Sequence, residues 1–435
     1  MIEIFQIFLQ ILVIFIFCYF PQYYLNFLNI RQQSIVEKIS LGSIINIFIL
    51  LLLSFINQKN FDLIFVVLII VFCTNLFFFI IENWKLKQID IKLIFLFIFV
   101  LVFSFDLANN LKLGWDAQNF WFLKTLNFIE GGDIYNLKNN PRQEYPQLGT
   151  FIWAIYTKIS FLEYEYLGRI FYIFFFCLSI FSVAELLDFN DVYKILFSSI
   201  IIILTYNILL FNGYQEVLIF SIFTLFSKYL YLIIKNNISK NLLNFYSIMM
   251  MLLLLSSIWI KNEAMFFSFI SIFLILCLPK KSFLFKSSII FSFILLIILR
   301  FFIFKTIGLS NILQPGNYEY SDILRLFSFI SLDRILVTSK YFFFGLASNL
   351  LYVISISIML FLFVYKKNKI DLTYYFASLI LNFLLIHSFS IFTSVPIEWQ
   401  LKASIERILF EILGIYIIPT VIFANVYSKK IFKIL

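Results

Sequence analysis

The 435-residue chain is cut into a long series of apolar runs, most of them close to the length that spans a bilayer. They cover residues 4–20, 41–56, 61–81, 93–107, 167–187, 192–211, 217–234, 242–258, 264–278, 285–304, 341–364, 372–392 and 408–426. A helix needs ~20 residues to cross the hydrocarbon, so about thirteen spans are expected, several of them short. A further run, residues 148–161, is shorter still. In lipid every backbone amide must be satisfied inside the protein, which leaves helices or closed barrels, and runs of this length suit helices. The expected fold is an all-α polytopic membrane helix bundle. Composition agrees: 62% of the residues are hydrophobic and 13% charged. Soluble domains average about 45–50% and about 25%, so one aqueous core could not hide the surplus. The 61 Phe accompany many Ile, Asn and Lys, which reads as compositional bias rather than an aromatic binding device.

The net charge of +9 does not point to nucleic acid. Basic residues fall in short clusters between the runs: Lys85, Lys87 and Lys92; Lys235 and Lys240; Lys280, Lys281 and Lys286; Lys366, Lys367 and Lys369; Lys429, Lys430 and Lys433. Positively charged loops stay cytoplasmic. All five clusters share that side only if residues 148–161 do not cross, so this run is read as a helix at the membrane surface or re-entering it. Segments 109–147, 212–216, 261–263, 307–340 and 393–407 then lie outside, with short basic turns and the C-terminus inside. Acidic, aromatic and Arg-bearing segments gather on the external side, where chemistry is expected.

The four cysteines lie within apolar runs without metal-ligand spacing. The first run lacks a basic start and a small-residue cleavage site, so it is expected to be retained. His387, the single histidine, reads as a packed or hydrogen-bonded core residue rather than a metal ligand. Phosphate-cradling Gly loops and nucleophile elbows are missing, which argues against an ATP-driven transporter or a serine hydrolase.

Four polar stretches stand at the external ends of runs. In GWDAQNFWFLK, Trp115 and Trp121 suit the headgroup zone, and the segment has the pattern of an interfacial helix. Asp116 either takes a proton from a hydroxyl acceptor or caps a helix. In FNGYQEV, Gly213 allows a tight turn. Glu216 either converges on Asp116, orienting an acceptor or holding a divalent ion, or marks the membrane boundary. In IWIKNEAMF, Lys261 and Glu263 either serve a polar site or snorkel to the surface. In PIEWQLKASIERILFE, Lys402 and Glu406, and Arg407 and Glu411, are spaced for i,i+4 salt bridges. Arg407 could equally clamp a phosphate through its bidentate fork.

Taken in order, these segments resemble the GT-C class of membrane glycosyltransferases, in particular the bacterial relatives of the dolichyl-phosphate-mannose protein mannosyltransferases. WDAQNFWFLK followed by EYPQLGTFIWAIYTKI resembles the family's first external loop. Arg169 resembles an Arg at the start of a family span. FNGYQEV and WIKNEAMFF resemble its Gly-Tyr-Ala-acid and Lys-Asn-Glu elements. PIEWQLKASIERILFE resembles a late Glu-Trp-His-Leu…Ser-Leu-Asp-Arg element. Gln400 stands in place of the His, Gln147 in place of a second Pro, and Glu406 in place of the Asp.

The likeness covers roughly residues 93–426. It implies an N-terminal accessory unit of membrane helices (residues 1–90) and a GT-C-like catalytic module (91–435) with external loop 109–166. It further implies transfer of a sugar from a polyprenyl-phosphate donor to a glycan, lipid or protein acceptor outside a bacterial-type cytoplasmic membrane. Asp116 would be the base and Glu216 its support. Trp115, Lys124, Arg169, Lys261, Glu263, Trp399, Lys402 and Arg407 would bind substrate. The likeness names no certain cofactor and leaves room for a divalent metal ion.

Two rival classes make different demands. A transporter or flippase would place charges at mid-membrane and break helices in matched halves. A surface-glycan polymerase or ligase would use external arginines such as Arg325, Arg334 and Arg407. A non-catalytic relative would account for Gln400.

Overall fold

Helices begin where the sequence places a capping side chain between apolar runs. In the computed structural model, Ser34 accepts from the amide of Glu37 (3.3 Å), Asp90 from Lys92 (3.0 Å), Asn190 from Tyr193 (3.2 Å) and Asn349 from Leu351 (3.1 Å), each satisfying an orphan amide of a helix start. The structure describes residues 2–28, 30, 33–56, 61–83, 90–160, 162–235, 239–277, 283–309, 331–365, 369–391 and 396–431. Lys85, Lys87, Lys280, Lys281, Arg325, Lys366, Lys367 and Lys433 lie outside the described residues.

The described helices are α1 (Ile2–Phe17), α2 (Gln22–Phe27), α3 (Ile35–Leu53), α4 (Phe61–Asn83), α5 (Ile91–Asn109), α6 (Phe122–Ile129), α7 (Leu148–Lys158), α8 (Glu165–Ala184), α9 (Asp191–Thr205), α10 (Glu216–Ile234), α11 (Lys240–Ile258), α12 (Asn262–Leu276), α13 (Phe283–Ile307), α14 (Leu332–Ser348), α15 (Leu350–Val364), α16 (Lys369–Ile391), α17 (Ile397–Leu413) and α18 (Ile417–Ile431). Helices α8 and α10 form the axis. Every residue of α8 from Tyr166 to Ala184 is buried, as is all of α10 except Leu232. Helices α3, α5, α7, α9, α11 and α17 surround them. The outer helices expose apolar flanks, among them Phe65, Ile70 and Phe77 of α4 and Ile294, Ile298 and Phe302 of α13. Flanks that are apolar on the outside are the mark of a lipid-solvated bundle.

Among the described residues, nine helices are long and apolar enough to cross a membrane, or ten if one bent pair counts as a single span. The chain is therefore a multi-pass α-helical membrane protein. Four expected spans take other forms, and one of them, run 372–392, holds only the short apolar stretch Leu372–Ser388 among the described residues. Run 192–211 becomes the 15-residue α9 followed by a 3₁₀ turn, Ile208–Phe211. Run 264–278 becomes the 15-residue α12. Run 341–364 is broken: α14 and α15 meet at 92°. The break falls at Asn349, whose extended backbone and side-chain cap start a new helix.

The course of residues 110–164 decides the topology. Lys92, at the start of α5, pairs with Glu185 just past α8 (2.7 Å) and with Asp191 at the start of α9 (3.0 Å). So α5 begins at the end of the bundle where α8 finishes. The segment between them leaves and re-enters at the opposite end, and α7 does not cross. Its 11 residues reach only about 16 Å. Residues Leu148 to Thr157 are all buried, enclosed by α8, α6 and α3. That enclosure excludes a helix lying bare on a surface: α7 is packed among its neighbours.

Residues 2–83 share one packed interior with the rest. Buried amides make the link: Gln10 donates to Tyr156 O (2.8 Å), Asn46 to Tyr156 Oη (2.8 Å), and Gln147 to Ser54 Oγ (3.1 Å). At the far end Lys228 of α10 pairs with Glu37 of α3 and donates to Ser182 Oγ (2.6 Å).

The final pair α17–α18 closes directly on α10. A Cβ at Gly414, between them, would collide with Thr224 Oγ1 and lie 2.7 Å from Phe220 O. Gly414→Ala is expected to destabilise by about 1–3 kcal/mol, read as a lowered thermal midpoint of the purified protein. An unchanged midpoint would contradict this close approach.

Candidate functional site

The charged groups gather where α5, α9 and α11 end and α8, α10 and α12 begin. Asp116 reaches this place through two local devices. The amide of Gly114 donates to Asn212 O (2.8 Å), tying the chain after α5 to the turn after α9. A π-helical turn, Ala117–Trp121, then leads into α6; such turns recur at functional sites. Gly213, at φ +86°, faces this turn so closely that a Cβ there would lie 2.8 Å from that of Ala117. A side chain would be strained at that φ and would push the two turns apart.

Arg407 of α17 pairs with Asp116 and lies 3.6 Å from Glu216 Oε1. Its guanidinium stands 4.7 Å from the ring centre of Tyr214, a cation–π arrangement. Lys261, in the turn between α11 and α12, sits among three carboxylates. Its Nζ is 2.5 Å from Glu411, 3.1 Å from Glu216 and 3.8 Å from Glu263. Tyr145 Oη donates to Glu263 at 3.5 Å. The cluster has depth. Glu216 and Glu411 are fully buried, whereas the Asp116 and Arg407 side chains are about a quarter exposed (25% and 24%). Lys261 and its acids form the floor, and Asp116 with Arg407 forms the accessible rim.

Burial alone would push the Lys261 ammonium towards neutrality. Glu216, Glu263 and Glu411 outweigh it and hold the lysine pKa well above its ordinary value, so the floor keeps its cation. Four carboxylates thus share two cations in direct contact. One oxygen of each of Glu216, Glu263 and Glu411 is buried without a hydrogen-bond partner. Among the described residues no group of three or more His, Cys, Asp and Glu side chains is arranged to hold a metal ion. The acids converge on the ammonium instead of on one another.

Surrounding groups fix the loops. Arg300 donates to Ile258 O (2.6 Å) and pairs with Asn262, while Asn262 donates to Glu144 O (3.3 Å). Together these lock the Lys261 turn. Arg169 is fully buried; its Nε lies 2.6 Å from Glu165, and Nη1 donates to Phe211 O (3.2 Å). It braces the turn that precedes Glu216. Lys124 is also fully buried and donates to Arg142 O (2.7 Å) and Tyr145 O (2.8 Å), holding the loop that carries Tyr145.

The structure therefore brings together Asp116, Glu216, Lys261, Glu263 and Arg407. It does not bring Lys124 and Arg169 to the cluster: the Lys124 ammonium is taken by the carbonyls of Arg142 and Tyr145, and the Arg169 guanidinium by Glu165 and Phe211 O. Trp115, Trp399 and Lys402 are exposed, and none of them makes a contact with the cluster's charges. Neither expected i,i+4 pair forms: Arg407 turns to Asp116, Glu411 turns to Lys261, and Lys402 and Glu406 face outward. Glu411 is the member that sequence reasoning missed as a site residue, since its spacing from Arg407 offered a local partner. His387 is buried, bonded to Ser339 Oγ and Phe383 O at 2.9 Å each, as a core histidine should be.

Burial pushes the Lys124 pKa down to about 7, with Glu144 only partly opposing the shift. Two N–H groups of a neutral amine match its two carbonyl partners. Between about pH 7 and the ordinary lysine value near 10.5, the unfolded chain holds a proton that the folded chain lacks. Stability should then rise with pH across this window, with a slope approaching about 1.4 kcal/mol per unit. The penalty is full below about pH 7. Unfolding midpoints at several pH values should show the rise in the wild type and a shallower one in Lys124→Met; equal slopes would contradict it.

Comparisons with protein-family models, with curated proteins and with solved structures find no match to this chain, so its activity has to be read from the chemistry of the cluster.

Proposed function

We propose that the cluster is the active site of a membrane glycosyltransferase. It would move a sugar from a polyprenyl-phosphate donor to an acceptor on the external face of a bacterial-type cytoplasmic membrane, with the C-terminus inside. The observation that carries this reading is the meeting of Asp116, Glu216, Lys261 and Arg407, drawn from four separate elements, at one end of the bundle. These are the residues on which the likeness to the GT-C class rests, and a GT-C-like bundle of about thirteen spans remains part of the proposal.

The chemistry divides between rim and floor. The Asp116 carboxylate accepts the proton of the acceptor hydroxyl as its oxygen bonds to the sugar's anomeric carbon. The bond from that carbon to the phosphate oxygen breaks, and its electron pair leaves with the polyprenyl phosphate. Arg407 is the group suited to meet that anion. It is partly exposed, bidentate, and able to exchange Asp116 for a phosphate. Lys261 is enclosed by acids and serves to set Glu216 in place. A preorganised cation in a water-poor site stabilises developing negative charge strongly. The exposed Trp115, Trp399 and Lys402 would contact the lipid headgroup zone as the donor approaches.

The test is transfer of labelled sugar from polyprenyl-phosphate donors to membrane glycolipids by the purified protein, with Asp116→Asn beside it. Transfer that Asp116→Asn leaves undiminished would sink the assignment of the base. The break at Asn349 is the feature that best suits a transporter. It is a single break among the described residues, not one of a matched pair.

A further inference from the structure

Arg407 reaches the rim on a long side chain with much rotamer freedom, and few groups hold its head there. Among the described residues its guanidinium makes one hydrogen bond, from Nη1 to Asp116, and its buried Nε has no hydrogen-bond partner. Nη1 also lies 3.6 Å from Glu216 Oε1, while Glu216 Oε2 is buried and unpartnered. A guanidinium with a spare donor beside a buried carboxylate with a spare oxygen is drawn towards the floor. The other hold at the rim is the ring of Tyr214, whose centre is 4.7 Å from the guanidinium carbon. That half-buried ring is itself seated. A Cβ at Gly114 would collide with its Cε2, Cζ and Oη atoms, so its tip lies against the Gly114 backbone.

We propose that Tyr214 is a positioning residue of the phosphate site, carrying Arg407 at the rim while a phosphate replaces Asp116 on the guanidinium. The Asp116 pair cannot do this, because it is the contact that must be released. Contact with a ring face leaves the N–H groups in the guanidinium plane for two phosphate oxygens. The glycine at 114 is then required by the ring that rests on it. This inference rests on the reading in which Arg407 meets the donor phosphate; it does not depend on sugar transfer being observed.

The experiment is equilibrium binding of radiolabelled farnesyl phosphate, a short polyprenyl phosphate, to the full chain in a non-ionic maltoside detergent, with empty micelles subtracted. The wild type should show one saturable site, for which farnesol competes at least about tenfold more weakly. Tyr214→Leu should weaken farnesyl phosphate by about five- to tenfold, leave farnesol unchanged and keep the wild-type unfolding midpoint. Tyr214→Phe retains the ring face and should stay within about threefold of wild type. Gly114→Ala, which displaces the ring without changing either partner, should give the same loss as Tyr214→Leu. No saturable phosphate site in the wild type would remove the phosphate role of Arg407, and this inference with it. A saturable site that folded Tyr214→Leu or Gly114→Ala protein binds as the wild type does would overturn the role of Tyr214 alone. So would an equal loss for phosphate and alcohol, or a Tyr214→Phe protein as weak as Tyr214→Leu.

Discussion

Asp116→Asn should lower the rate of sugar transfer by about two to four orders of magnitude, the usual contribution of a positioned base, while shifting the unfolding midpoint only slightly. The two effects separate because of where the residue sits. Asp116 is about a quarter exposed and pairs with Arg407 at the rim. Partly exposed ion pairs contribute little to stability, so the amide should fold normally. What the amide loses is the capacity to accept the acceptor's proton. Initial rates with donor and acceptor both varied would place the loss in kcat rather than in donor KM. A loss confined to donor KM would instead make Asp116 a binding group.

The second large effect falls on stability. Lys261→Met should destabilise the fold by about 3–5 kcal/mol, because removing one partner of a buried ion cluster strands the others. Glu216 and Glu411 are fully buried, and Lys261 is the nearest cation to both. The double variant Lys261→Met with Glu411→Gln should recover part of the loss, since one stranded charge is removed with its partner. Thermal or denaturant unfolding of the three proteins measures the coupling directly. A midpoint for Lys261→Met within a degree or two of wild type would mean that the floor is not the electrostatic anchor described above.

The helical membrane fold was legible because backbone physics in lipid leaves few alternatives. The apolar runs marked most helices, while the caps that start several of them, Ser34, Asp90 and Asn190, emerge from the structure. The parity of the lysine clusters required run 148–161 not to cross, and the Lys92–Glu185 pairing supplies the geometric reason. The break at 348–349 was harder to see. Asn349 lies inside a run that hydropathy alone reads as continuous, although an Asn there is a helix-start signal.

At the site, position did the work. Asp116, Glu216, Lys261 and Arg407 each stand at the end of an apolar run, and ends on one side must share a surface. What position could not reveal is which charge meets which. Arg407 and Glu411 are on one helical face, yet each finds a closer opposite charge on another element. Lys124 and Arg169 entered as substrate ligands through the resemblance to the GT-C class, not through any pairing the sequence displays. Loop carbonyls and Glu165 take them instead. For Arg169 the i,i+4 Glu165 was a readable sign; for Lys124 the partners are backbone atoms, which leave no mark in sequence.

The most direct test of the account is a single-turnover assay on the purified chain in a bilayer. The donor is a polyprenyl-phosphate sugar labelled in both sugar and lipid, supplied with membrane glycolipid acceptors. The predicted result is one polyprenyl phosphate released for each sugar appearing on the acceptor, with both products lost together in Asp116→Asn. Folded wild-type protein that releases neither product from any such donor, or an Asp116→Asn protein that matches it turnover for turnover, would contradict the claim that this cluster transfers sugars.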